Sequence, residues 1–177
     1  MNMRSPNVKK VKSQKEMDLR DLILKSALEE FCQKGYFKGN MRSIAKRAQI
    51  AVGTIYKYFP NKKELYKQVF LRKAQNVLEE MKKALNLPQI SPEDRLKNVL
   101  FAKFKKLLEY RDFVKLHFQE FWESSIIGIS FKEFKDIYNQ QIEIIAKLLV
   151  EINGKSMEEN VITANIISRI LAFFLIE

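Results

Sequence analysis

A Ser or Asn followed three residues later by Glu recurs along this chain, at Ser13/Glu16, Asn61/Glu64, Ser130/Glu133 and Ser156/Glu159. In that pair each side chain caps the other residue's backbone N–H, so the pattern belongs to the first turn of an α-helix. A related start, Ser91-Pro-Glu-Asp, puts proline at the first helical position and carboxylates in the first turn, where the helix dipole favours them. Between these starts apolar residues recur at helical spacing, and no segment sustains the period-two alternation of a half-buried strand. The chain is therefore expected to be all-α. Its 177 residues, 46% of them hydrophobic, suffice for one large domain or two small ones.

Helix 1 is expected from about Ser13 to Lys34, with Leu19, Ile23, Ala27 and Phe31, and also Leu22, Leu24 and Leu28, on its apolar side. Gly35 ends it. Asn40 can cap a short second helix over 41–48, Gln49-Ile-Ala51 makes a turn, and a third helix runs from Val52 to about Phe59. Pro60-Asn61 closes that helix and starts a fourth, Lys62 to about Leu87, which links two modules. Beyond the break at 88–92, helices are expected near 92–110, 112–124, 131–152 and 157–177.

Charge is segregated. Of a net charge of +11, residues 1–67 carry 16 Lys/Arg against 6 Asp/Glu, and residues 68–177 carry 16 against 15. A basic end points to a polyanion, nucleic acid first, with an anionic membrane surface as the competitor. No run of 18 apolar residues exists and the N-terminus has no apolar core of a signal peptide, so a cytoplasmic protein without a membrane span is expected. The single Cys32 excludes an internal disulfide and a cysteine-rich zinc site. His117 is the only histidine and has no Cys or His neighbour, so neither a metal nor a cofactor is expected. Without a glycine-rich phosphate loop, HExxH or nucleophile elbow, an enzyme is not expected either.

Two short helices joined by a three-residue turn form a helix-turn-helix, with Ala45 as the small residue at their close approach. Ile50 and Ile55 fill the angle between them, and Phe59 faces the same core. Tyr56 and Tyr58 cannot share that direction, and their hydroxyls suit phosphate oxygens. Gly53 would let the helix come close to DNA, Thr54 offers a hydroxyl and a methyl to a base edge, and Arg42 suits a phosphate or a guanine edge. Lys62 lies in a first helical turn, where free N–H groups also attract phosphate.

Residues 35–65, GYFKGNMRSIAKRAQIAVGTIYKYFPNKKEL, resemble the DNA-binding signature of TetR-family transcriptional repressors. The resemblance implies that Val52, Gly53 and Thr54 lie near base edges in the major groove and that Tyr56, Tyr58 and Lys62 hold phosphates. It adds Lys57 to this DNA-facing set, and Arg42 and Ser43 as backbone contacts. Two positions depart from the pattern. Gln49 replaces the usual glycine, at a cost of ~1 kcal/mol if the turn needs positive φ. Ala51 replaces the usual serine cap, a loss of ~1 kcal/mol.

Residues 101–138 hold half of the chain's aromatic residues. The family resemblance implies a small apolar or aromatic effector bound there, with Phe101, Phe104, Tyr110, Phe113, His117, Phe118, Phe121, Trp122, Phe134 and Tyr138 as candidate lining, though aromatic residues at helical spacing also simply fill cores. The last segment carries a wide apolar face, including Ile162, Ile166, Ile170, Phe173 and Phe174, that fits a homodimer interface. The family pattern implies one more helix beyond Glu177, hence either a longer protein, the preferred expectation, or a reduced dimer interface. The expected organisation is a basic disordered arm (1–12), a helix-turn-helix domain (13–60), a linking helix (61–87) and an effector-binding and dimerisation domain (88–177). The expected function is a repressor released from a palindromic double-stranded operator by its effector. The alternatives are an architectural DNA-binding protein without effector and an apolar-ligand carrier docking on anionic membrane.

Overall fold

The structure, a computed structural model, describes residues 6–88, 91–116 and 132–174. The regular elements among them are helices: α1 (Pro6–Lys38), α2 (Met41–Arg47), α3 (Val52–Tyr58), α4 (Lys62–Leu85), α5 (Pro92–Glu109), α6 (111–116), α7 (Lys132–Asn153) and α8 (Met157–Phe173). The chain falls into two compact units, Met1–Val69 and Phe70–Glu177, divided within α4.

The helix starts show which capping signals operate. Asn61 Oδ1 accepts from the Glu64 N–H at 2.8 Å, Ser91 Oγ from the Asp94 N–H at 3.2 Å, and Ser156 and Glu159 form the full reciprocal box. Ser130 lies outside the described residues. Ser13 is not a start: α1 begins at Pro6, a residue suited to a first helical turn, and passes through Ser13. Residues three apart are neighbours on any continuing helix, so the Ser13/Glu16 spacing alone does not mark an end. The helix thereby takes in Pro6–Lys12, which the sequence suggested as a disordered arm. Gly35 interrupts α1 with φ 77 and ψ 167, a conformation that side chains disfavour, and the Gly39 N–H closes the bend on the Gly35 carbonyl at 3.1 Å.

In the first unit, Ile23, Ala27 and Phe31 of α1 are buried together with Ile44 and Ala45 of α2, Ile55 of α3, and Leu65 and Tyr66 of α4. Phe31 meets Tyr66 edge-on with ring centroids 5.2 Å apart. Leu22, expected on the apolar side, is 42% exposed because it flanks the stripe led by Ile23. The second unit buries Val77 and Met81 of α4, Val99 of α5, Ile142 and Ile145 of α7, and Ala164 of α8 in one cluster.

Helix α8 is reversed in polarity. Its buried line is Asn160, Ala164 and Ser168, each four residues on. Asn160 exchanges amide hydrogen bonds with Asn153 at 2.9 and 3.2 Å and donates to the Ser156 carbonyl at 3.0 Å, so its burial is satisfied. The outward face carries Ile162, Ile166, Ile170, Phe173 and Phe174, each between 48% and 68% exposed.

Candidate functional site

Asn40, in extended conformation, accepts from the Ser43 N–H at 2.9 Å and so fixes the start of α2. The following turn closes through Ala48 N–H to the Ile44 carbonyl at 2.9 Å and Ile50 N–H to the Ala45 carbonyl at 3.0 Å. Gln49 takes φ 55 there, so the ~1 kcal/mol cost of a left-handed side-chain residue is carried by the turn. Ala51 precedes α3 without a side-chain cap. Seven residues cannot hold a helix alone. Ile55 and Phe59, both fully buried, anchor α3 one turn apart, and the Arg20 guanidinium lies 4.9 Å over the Phe59 ring.

That anchoring turns the rest of α3 outward. Gly53, Tyr56 and Lys57 are exposed, and Val52, Thr54 and Tyr58 are half-buried; Arg42 is exposed on α2. A Cβ added at Gly53 would meet nothing within 4 Å, and Gly53 does not have positive φ. Among the described residues nothing inside the protein asks for glycine at this position. Its effect is to leave a bare strip of helix backbone for another molecule to approach.

Two expected DNA contacts are engaged inside the protein. The Ser43 hydroxyl accepts from Lys34 Nζ at 3.5 Å. The Lys62 ammonium donates to the carbonyls of Tyr36 (2.9 Å), Phe37 (3.1 Å) and Gly39 (3.0 Å), and lies 4.6 Å from the Tyr36 ring. An ammonium has three N–H donors, and all three serve carbonyls left open by the break at Gly35. The expectation of a phosphate contact at Lys62 is therefore corrected: Lys62 clamps the end of α1 to the start of α4.

A buried carboxylate braces α1 against α2. Glu30, 1% exposed, takes Lys34 Nζ at 2.9 Å and an Arg47 guanidinium nitrogen at 3.5 Å, and Arg47 also donates to Gln33 at 2.6 Å. Burial pushes the Glu30 carboxyl up, but the hydrogen bonds and charge of Lys34, with Arg47 and Ser43, outweigh it and hold the group below the usual glutamate range.

The second unit contains a cavity of about 810 Å³. Phe70, Lys73, Ala74 and Val77 of α4 line it with Lys103 and Leu107 of α5, Tyr110, Phe113 and Val114 around α6, Phe134, Tyr138 and Gln141 of α7, and Ser168, Arg169, Ile170, Ala172 and Phe173 of α8. The Phe70 ring stands 4.7 Å from Phe134 and 6.0 Å from Phe113. Polar groups are few and held in place. Asn76 donates to the Tyr110 hydroxyl at 3.1 Å, and the Tyr138 hydroxyl donates to Asn165 at 3.2 Å. Lys103, 3% exposed, donates to Gln141 Oε1 at 3.0 Å and Ser168 Oγ at 3.1 Å. Burial pushes its ammonium down to about 8.

Residues 23–69 match the sequence family described as bacterial regulatory proteins, tetR family. Residues 23–69 thus carry the tetR-family sequence. The chain is similar to the Bacillus subtilis HTH-type transcriptional regulator YhgD, 32% identical over 112 residues that make up 63% of this chain and 56% of YhgD. It is also similar to the HTH-type transcriptional repressor KstR of Rhodococcus jostii, 33% identical over 88 residues, 50% of this chain and 40% of KstR. The chain thus spans about half the length of the curated relatives it matches. Its fold resembles the crystal structure of the transcriptional regulator FadR from Bacillus subtilis in complex with stearoyl-CoA, with a TM-score of 0.71 at 21% identity over 88% of this chain and 84% of that one.

In the second unit, the expected pocket residues Tyr110, Phe113, Phe134 and Tyr138 come together at the cavity. Phe101 and Phe104 do not. They line a separate apolar cleft with Leu100, Leu149 and Leu171, and Phe101 is 67% exposed. At about 100° per residue, position 101 lies across the helix from position 103. His117, Phe118, Phe121 and Trp122 fall outside the described residues. Sequence reasoning missed Lys103, Gln141 and Ser168. The signal for Lys103 was a lysine inside an apolar stripe, Leu96-Val99-Lys103-Leu107.

Proposed function

We propose that this chain is a dimeric transcriptional regulator that reads a palindromic DNA operator with α3 and is released from it by a small effector in the cavity of the second unit. The observation that carries this is the outward face of α3. Ile55 and Phe59 fix the helix from behind, while Gly53 leaves its backbone bare between Thr54 and the rings of Tyr56 and Tyr58. In this arrangement Val52, Gly53 and Thr54 meet base edges, and Arg42, Tyr56, Lys57 and Tyr58 meet the phosphate backbone. Ser43 contributes through its place in the first turn of α2 rather than through its hydroxyl.

The excess of positive charge in residues 1–67 supplies the sequence-independent attraction to DNA. The apolar outward face of α8 supports pairing of two copies, which sets two α3 helices at half-sites ~34–36 Å apart. KstR, a repressor, supports repression as the direction of control, and the stearoyl-CoA bound by FadR supports an effector role for the cavity. An effector that binds one arrangement of the dimer better than another shifts operator affinity by that difference. Among the described residues no helix is long and apolar enough to cross a membrane.

Selection of bound duplexes from a random pool tests the proposal. The expected outcome is a two-fold-symmetric consensus bound at least ~10³-fold more tightly than random duplex. Equal affinity for random and selected duplexes would leave only nonspecific DNA binding.

A further inference from the structure

Lys103 is hard to explain as part of a core. A buried ammonium is costly unless it is paired, and core lysines normally reach a carboxylate or extend to solvent. Here two of its three donors go to neutral oxygens, on Gln141 and Ser168, and no carboxylate among the described residues pairs with it. Among the described residues no Asp or Glu lines the cavity, while Lys73 and Arg169 also contribute to its wall. The rest of the lining is aliphatic and aromatic. The cavity thus offers an apolar volume of about 810 Å³ with a fixed positive charge set into one side.

We propose that the cavity takes an apolar molecule ending in a carboxylate, with the Lys103 ammonium as its counter-ion and Gln141 and Ser168 holding that ammonium in position. This rests on the effector-responsive regulator proposed above and names the chemistry of the effector. The third N–H of Lys103 is the donor for the carboxylate. The two neutral acceptors, with the Tyr138 ring 5.7 Å from the ammonium, orient it without neutralising it, so its charge can still be paired by a ligand anion. Burial has weakened its hold on the proton, and an anion beside it restores the charged form. A neutral ligand of the same length would instead leave a buried charge unpaired, which is the basis for discrimination.

The test uses the full chain with two probes of equal length, dodecanoic acid and dodecan-1-ol, read by calorimetric titration and by release of the selected duplex. The acid is expected to bind about 10- to 100-fold more tightly than the alcohol. In Lys103→Met, which fills the same volume without charge, that preference is expected to vanish while the alcohol still binds. Equal binding of acid and alcohol by the unaltered chain overturns the carboxylate assignment but leaves the regulator intact, provided either probe releases DNA. Acid preference that survives in Lys103→Met overturns the role of Lys103. Failure of both probes to bind overturns the assignment, and duplex binding measured without probe then reports separately on the DNA-reading function.

Discussion

Lys103 makes protonation of a cavity wall a term in stability. Its ammonium titrates at about 8 in the folded chain against an ordinary value of 10.5, because burial disfavours the charge. Below pH 8 both folded and unfolded chains hold the proton and the folded state bears the full cost. Between about 8 and 10.5 the unfolded chain binds more protons than the folded one, so stability rises with pH, by about 3 kcal/mol in all. Lys73 faces the cavity from α4 and Arg169 from α8, and burial first of all raises Tyr138 above the usual tyrosine range. Lys103→Met is expected to be more stable than the parent at pH 7 and to lose the alkaline rise; urea denaturation at pH 7, 8.5 and 10 measures both. Lys62 is the opposite case, an ammonium whose position helps folding. Lys62→Met is expected to cost about 2 kcal/mol, since three carbonyls lose a charged donor, with little change in the salt dependence of DNA binding. A steep loss of salt dependence at unchanged thermal stability would return Lys62 to the phosphates.

For the elements, α3 gives the sharpest expectation. Gly53→Ala meets no neighbour and adds helix propensity, so stability should hold or rise by up to ~1 kcal/mol, while affinity for the selected duplex falls at least ~10-fold because a methyl group now stands on the bare strip. Thermal unfolding and gel shifts on one preparation separate the two effects. The inward direction of α3 was legible in the sequence, because Ile55 and Phe59 sit four apart and the tyrosines between them cannot share that face. The caps at Asn40, Ser91 and Ser156 were legible for the same reason, being local. What escaped depends on distant partners. Nothing near Lys62 in sequence announces carbonyls more than twenty residues back. The inward face of α8 also escaped, since Asn160 and Ser168 look like surface residues until their acceptors and donors are in place.

In the whole molecule, the proposed pairing of two copies rests on the exposed isoleucine face of α8. Ile166→Glu, at a position 53% exposed in the single chain, is expected to leave folding intact and to shift the sedimenting species from dimer to monomer. Affinity for the palindrome should fall with it, since each half-site would then be bound alone. A dimer that survives the charge would move the interface elsewhere. The Lys62 clamp has one more consequence, for anyone who wishes to excise the DNA-reading piece. A peptide stopped at Phe59 would include α1, α2 and α3 in full, yet it would lose the ammonium that closes the bend at Gly35 and the Tyr66 ring that packs on Phe31. A piece that keeps both contacts therefore ends not at α3 but some ten residues beyond it, near Val69, where the first unit ends.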